Sequence, residues 1–126
     1  MNKVKYAVII MLIVIAFCIW ALYYLHSCSE YFGDIIIQIM DNAVDDNYQK
    51  ASELSELLAI EWTKKEKILS IVANNKELDE ITFIIYELES YADQEHISEL
   101  RASCEKITTI LAHIWQFQKL SLYNLI

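Results

Sequence analysis

Between Tyr6 and Leu25 the chain reads YAVIIMLIVIAFCIWALYYL, a run with no charge, no Gly and no Pro. Twenty helical residues rise about 30 Å, the thickness of the hydrocarbon core of a bilayer. The run is apolar on every face, and a helix of that kind needs either lipid or a far larger protein around it. Lys3 and Lys5 precede it, and the next basic residue is Lys50. Tyr6 stands at its near end, and Trp20, Tyr23 and Tyr24 stand at its far end, where amphipathic rings favour the headgroup layer. These features predict a single-pass anchor over 6–25 in the cell membrane. The two lysines hold a cytoplasmic tail, 1–5, inside, which leaves an extracytoplasmic domain over 26–126.

Two kinds of processing signal compete with a retained anchor. A cleavable secretory signal has a shorter apolar region and a small-x-small site, which Leu25-His26-Ser27 does not supply. Leu25-His26-Ser27-Cys28 loosely resembles a lipobox that would place a lipid on Cys28, but His26 stands where a small or aliphatic residue is wanted. With or without that lipid, the domain stays on the same membrane face.

Past the span there is one Gly and no Pro, with long stretches of Leu, Ile, Glu, Lys and Ala, so the outer part should be all-α. About 100 residues suit one domain. All 18 acidic residues follow the span, whereas two of the ten basic ones precede it, leaving about -10 outside. That balance argues against nucleic acid and against adhesion to anionic headgroups. Cys18, Cys28 and Cys104 form no zinc or disulfide framework, since the count is odd and no Cys-x-x-Cys occurs. A Cys28–Cys104 bridge is disfavoured because Cys104 falls on an apolar stripe, where it packs as a small hydrophobe.

Helical periodicity divides the outer part into four stretches. The first, about Ser29 to Val44, uses Phe32, Ile35, Ile36, Ile39, Met40 and Ala43. Either a Ser27/Glu30 capping box restarts the chain there, or the spanning helix runs straight through. The second starts near Asp46 or Asn47, with Asp46 as cap and Gln49 reaching back. It buries Tyr48, Ala51, Leu54, Leu58, Trp62, Leu69 and Val72, while Glu61, Lys64, Lys65 and Lys67 form a solvated face. The third, about Lys76 to Ala92, follows a cap at Asn74 and uses Leu78, Ile81, Ile84, Ile85, Leu88 and Tyr91. Asp93 is expected to cap the fourth, whose stripe is Ile97, Leu100, Cys104, Ile107, Leu111 and Ile114. The tail from Gln116 to Ile126 is expected to fold back on the others. Short connections predict an antiparallel up-and-down bundle of about four helices. A tetratricopeptide-like hairpin stack is the alternative, but it lacks its Gly and Pro punctuation.

No catalytic set emerges. The serines of the predicted helices have no Gly-rich elbow nearby, and no phosphate-cradling loop is present. Asp45-Asp46 and Asp79-Glu80 are adjacent pairs whose side chains point apart on a helix. Glu95, His96 and Glu99 share part of one turn, but ligands from a single turn do not converge into a metal site. They read as an acidic helix start, so neither a metal nor a cofactor is expected. His113 suits the fourth helix's C-terminal dipole or a hydrogen bond to the folded-back tail. Trp62 and Trp115 are core or interface anchors.

Several segments, in order, resemble one bacterial family. They are Trp62-x-Lys64-Lys65-x-Lys67-Ile68-Leu69-Ser70, Asn74-Asn75-Lys76-Glu77-Leu78-Asp79-Glu80-Ile81, His113-Ile114 and Leu120-Ser121-Leu122-Tyr123-Asn124-Leu125. The family is domain-of-unknown-function family 4363, small proteins with an N-terminal span and a helical outer part. It has no assigned activity. The resemblance implies a spore-forming Gram-positive source and a gene sometimes near those of multi-span membrane proteins, hence a membrane complex. Family members commonly carry a His just before the Lys-Glu-Leu-Asp stretch, where this chain has Asn75. A catalytic base there would be missing, whereas a capping role survives the change.

The resulting expectation is a non-enzymatic, membrane-anchored interaction or scaffold domain binding another membrane or envelope protein, with Trp62, Trp115, His113 and Asn124 as candidate core or contact residues. Its oligomeric state is left open. The alternative is a bundle that senses a small ligand or metal between its helices.

Overall fold

The computed structural model describes residues 2–125; the ends of the predicted tail and domain, Met1 and Ile126, lie outside them. Four helices account for nearly all of it: α1 (Asn2–Val44), α2 (Tyr48–Val72), α3 (Asn75–Asp93) and α4 (Ile97–Leu125). Among the described residues there is no strand. α1 is one helix of 43 residues, so the chain does not restart at Ser27. Nothing there compels a break, and Leu25 and Cys28 already pack on the helices beside them, which holds the helix through the junction.

α1 neighbours α2 and α4, and α3 closes the ring between α2 and α4. Cross-helix pairs fix the antiparallel sense: on α2 and α3, Ser52 meets Asp93 and Trp62 meets Thr82. On α3 and α4, Glu77 meets His113, and on α1 and α4, His26 meets Trp115. A closed ring of four is an up-and-down bundle, which excludes the open hairpin stack.

The core follows the predicted stripes. Leu25, Cys28, Phe32, Ile35, Ile36, Ile39 and Ala43 of α1 face inward at three- and four-residue steps, as do the expected positions of α2, α3 and α4. Four predicted members, Met40, Tyr48, Tyr91 and Ile97, sit half-buried near the helix starts and ends. Trp62 is the largest buried side chain, only 1% exposed, with its ring edge-on to Phe32 at 5.3 Å between centroids. Its Nε1–H donates to Thr82 Oγ1 at 2.8 Å, so the one polar atom of the ring is satisfied.

Both turns at the far end of the bundle are helix-terminating motifs built without glycine. After α1, Asp46 N–H donates to the Ala43 carbonyl and Asn47 N–H to that of Asn42 (2.8 Å). After α3, Glu95 and His96 repeat the pattern on Ala92 and Tyr91. The left-handed position is occupied by Asp46 (φ 60°) in one turn and by Glu95 (φ 58°) in the other. These turns correct two predicted caps. Asp46 is the turn residue, and Asn47 caps α2 by accepting from Lys50 N–H at 3.4 Å. Asp93 is the last residue of α3 rather than a cap of α4, and its carboxylate accepts from the Ser52 hydroxyl at 2.6 Å. At the near end Ala73 is extended, and Asn74 caps α3 as expected, accepting from Lys76 N–H at 2.8 Å. The tail does not fold back either. α4 runs straight on to Leu125, since Gln116 to Leu125 contains no Gly or Pro to stop it.

Candidate membrane-anchoring and interaction site

α1 is the one helix among the described residues that is long and apolar enough to cross a membrane, and hardly any of its most apolar stretch is buried by protein. Tyr6, Trp20 and Tyr23 are exposed, as are Lys3 and Lys5, while Tyr24 is half-buried against the bundle. Trp20 stacks on Tyr24 with centroids 5.5 Å apart.

The bundle does not begin where the apolar run ends. Leu25 is 1% exposed, and Ala21 and Tyr24 pack against the core. Phe17, Cys18, Ala21 and Leu22 share a crevice with Ile71 and Val72 of α2 and with Gln118 and Ser121 of α4. The upper third of the apolar run is therefore flanked by protein on one side.

Charge is graded along the bundle. The far half, residues 35–60 and 85–107, holds eleven of the 18 acidic residues and only Lys50, Arg101 and Lys106 of the basic ones. Lys64, Lys65, Lys67, Lys76 and Lys119 all lie in the half next to the apolar run. Of the predicted solvated face, Lys64 and Lys67 are exposed. Lys65 is half-buried, with its ammonium 5.7 Å from the centre of the Tyr31 ring.

Outside the core, α2 carries a second apolar stripe. Leu57, Ile60, Ile68 and Ile71 recur at helical spacing on a flank beside the inner face of Leu58, Trp62 and Leu69, and all four are exposed. On the adjacent helix α3, Phe83 (73% exposed) and Tyr86 also point outward. A bundle of this size has no internal use for them.

The remaining candidates separate cleanly. Trp62 is core. Trp115 is half-buried, its ring 5.0 Å from that of His26. His113 pairs neither with a tail nor with a helix end, because α4 continues for three more turns. Its Nδ1 instead lies 3.1 Å from Glu77 Oε1, tying α4 to the first turn of α3. Asn124 is exposed. Glu95, His96 and Glu99 are exposed, and among the described residues no three His, Cys, Asp or Glu side chains converge on one point. The sequence offered no sign of the Thr82–Trp62 and Ser52–Asp93 contacts, which join residues far apart along the chain.

Cys18, Cys28 and Cys104 are free thiols. Burial among the apolar side chains pushes Cys104 up to about 12, with the nearby Glu105 carboxylate adding to the effect. Burial also raises Cys28, against the opposing pull of the Tyr24 hydroxyl and of Lys65. Neither is an activated nucleophile, which needs a depressed value and access. Along the seam of α1 and α4 lies a groove of about 570 Å³, lined by residues that include Ile36, Met40, Arg101, Cys104 and Thr108. It is open to solvent, unlike the enclosing sites that bury most of a small ligand.

Residues 19–125 match the family described as Domain of unknown function (DUF4363). The chain belongs to this family. No curated protein and no solved structure matches it. The match takes in the whole bundle and only the last turns of the apolar run.

Proposed function

We propose that this DUF4363 member is a single-pass, non-enzymatic interaction domain, held by residues 6–25 with its N-terminus in the cytoplasm and its bundle outside the cell membrane. The bundle binds another membrane or envelope protein. Lys3 and Lys5 favour that orientation. The bundle's net acidic charge does not suit nucleic acid.

One observation carries the binding reading: the exposed stripe Leu57, Ile60, Ile68, Ile71 on α2, with Phe83 and Tyr86 on α3. Its apolar residues on α2 form two pairs, Leu57/Ile60 and Ile68/Ile71, on either side of Lys64, and exposed apolar patches on a small domain mark protein contacts. The test is a photoreactive residue placed at Ile60 or Phe83, with Lys50 as control, in intact cells at native expression. The expected result is one discrete adduct with a second membrane protein at 60 and 83 and none at 50. Adducts with this chain alone, or none at any position, contradict it. Protease added outside intact cells should digest the bundle; digestion only after the membrane is opened contradicts the orientation.

A further inference from the structure

We propose that the last two turns of α4, residues 119–125, form a second membrane element that lies beside α1 in the headgroup and upper acyl layer of the outward-facing leaflet. The inference rests on the anchor reading of residues 6–25, and what it adds is the depth at which the bundle sits.

The register of α1 against α4 sets that depth. His26 is level with Trp115, and Cys18 and Leu22 are level with Gln118 and Ser121. The helices are antiparallel, so each residue past Trp115 descends about 1.5 Å along α1. Leu125 is then about 15 Å below His26, level with Ala16. If α4 stayed wholly in water, only Tyr6 to Ala16 would be left to cross the hydrocarbon. That is about 17 Å of helix for a core of about 30 Å. Mismatch of that size carries a cost for every ångström, and seating the end of α4 in the leaflet removes most of it.

The residues at this level suit the environment. Leu120 is 61% and Tyr123 80% exposed, and Phe117 points outward one turn above them. Lys119 is exposed and can run its alkyl stem along apolar surface to reach phosphate, and Lys64 and Lys67 stand just above. Asn124, exposed near the end of α4, keeps the tip in the upper part of the leaflet, within reach of the headgroups. The acidic start of α3, with Asp79 and Glu80, stands across the ring from α1 and stays among the hydrated headgroups. The acidic far half then points away from the bilayer, and the lysine-bearing half points toward it. The bundle rests on the membrane instead of standing off it on a stalk.

The experiment is depth measurement in vesicles of phosphatidylcholine and phosphatidylglycerol. The full chain carries an environment-sensitive fluorophore on a single introduced cysteine at Leu12, Glu53, Leu120 or Tyr123, with Cys18, Cys28 and Cys104 replaced by Ala. Labels at 120 and 123 should be quenched severalfold more by shallow nitroxide lipids than the label at 53, and shielded from aqueous iodide. The label at 12 should be quenched by deep nitroxide lipids only. Iodide access at 120 and 123 equal to that at 53, with 12 still deep, overturns the proposal and leaves the anchor standing. Iodide access at 12 overturns both. Shielding at 120 without quenching by any lipid nitroxide means that protein covers the site, and it also overturns the proposal. Should the cysteine-free background fold poorly, a diazirine residue at Leu120 in the native-cysteine chain decides the same question: phospholipid adducts support the proposal, and their absence contradicts it.

Discussion

Residues 6–17 and residues 25–44 belong to one uninterrupted helix, yet they obey different rules. In the lower stretch Val8, Ile9, Ile10, Met11, Leu12 and Ile13 are all exposed, one after another around the helix. In the upper stretch only Leu25, Cys28, Phe32, Ile35, Ile36, Ile39 and Ala43 are buried, and charged residues such as Glu30, Asp34 and Asp41 take the other faces. A helix apolar all round answers to lipid, whereas a helix with one apolar stripe answers to neighbouring helices. Under the proposed anchoring, one element serves two solvents, and the change falls where α2 and α4 close in on Ala21 to Leu25. Substitutions on one side of that boundary should leave the other side alone.

The largest effect is expected below the junction. Replacing Met11 and Ile15 together by Arg places two charges mid-span, each opposed by about 2.5–3.5 kcal/mol. Fractionation should find the Met11→Arg/Ile15→Arg chain in the soluble fraction with its helical circular dichroism intact. If it stays membrane-bound, the lower stretch is not a span. Next comes the core of the upper part. Trp62→Ala removes the ring packed on Phe32 and the donor to Thr82, at about 3–5 kcal/mol. Denaturant melts of the detergent-solubilised protein should show that loss, while Tyr23→Ala should move the midpoint by less than about 0.5 kcal/mol.

A third test concerns pH. Cys104 releases its proton at about 12 in the fold against 9.0 when unfolded, so the native state holds the proton longer. Between those values the unfolded state binds fewer protons, and stability falls as pH rises. Stability should therefore drop on going from pH 8.5 to 11, by on the order of 1–2 kcal/mol more than in Cys104→Ala. Equal drops contradict the burial. The smallest effect is expected at the far turns. Glu95 occupies a left-handed position that suits glycine, so Glu95→Gly should stabilise by about 0.5–1 kcal/mol, read as a raised melting midpoint.

That last position marks the limit of what the sequence makes legible. Stripes such as Leu100, Cys104, Ile107, Leu111 and Ile114 are legible because burial leaves a periodic trace in residue type. The turns are not, because Asp46 and Glu95 hold conformations usually marked by Gly, and nothing local reveals them. The end of α4 is hidden for a related reason: an apolar tail looks the same whether it folds back or runs on, and its register against α1 decides. Sequence alone points His113 to a helix end or a folded-back tail, because its partner, Glu77, lies on another helix. The candidate interaction stripe is only half legible. Periodicity locates the inner face of α2, but the exposure of Leu57, Ile60, Ile68 and Ile71 requires the packing around it.

The most direct test of one helix in two solvents is a spin-label scan of single sites from 6 to 44 in bilayers, comparing collisions with oxygen and with an aqueous nickel chelate. The account predicts high oxygen and low nickel access at every lipid-facing position up to about Phe17. From Leu25 onward it predicts a period of 3.6 with minima at Leu25, Cys28, Phe32, Ile35, Ile39 and Ala43, in phase across the junction. A jump in phase or a patch of free mobility between 25 and 30, or nickel access among residues 8–15, would contradict it.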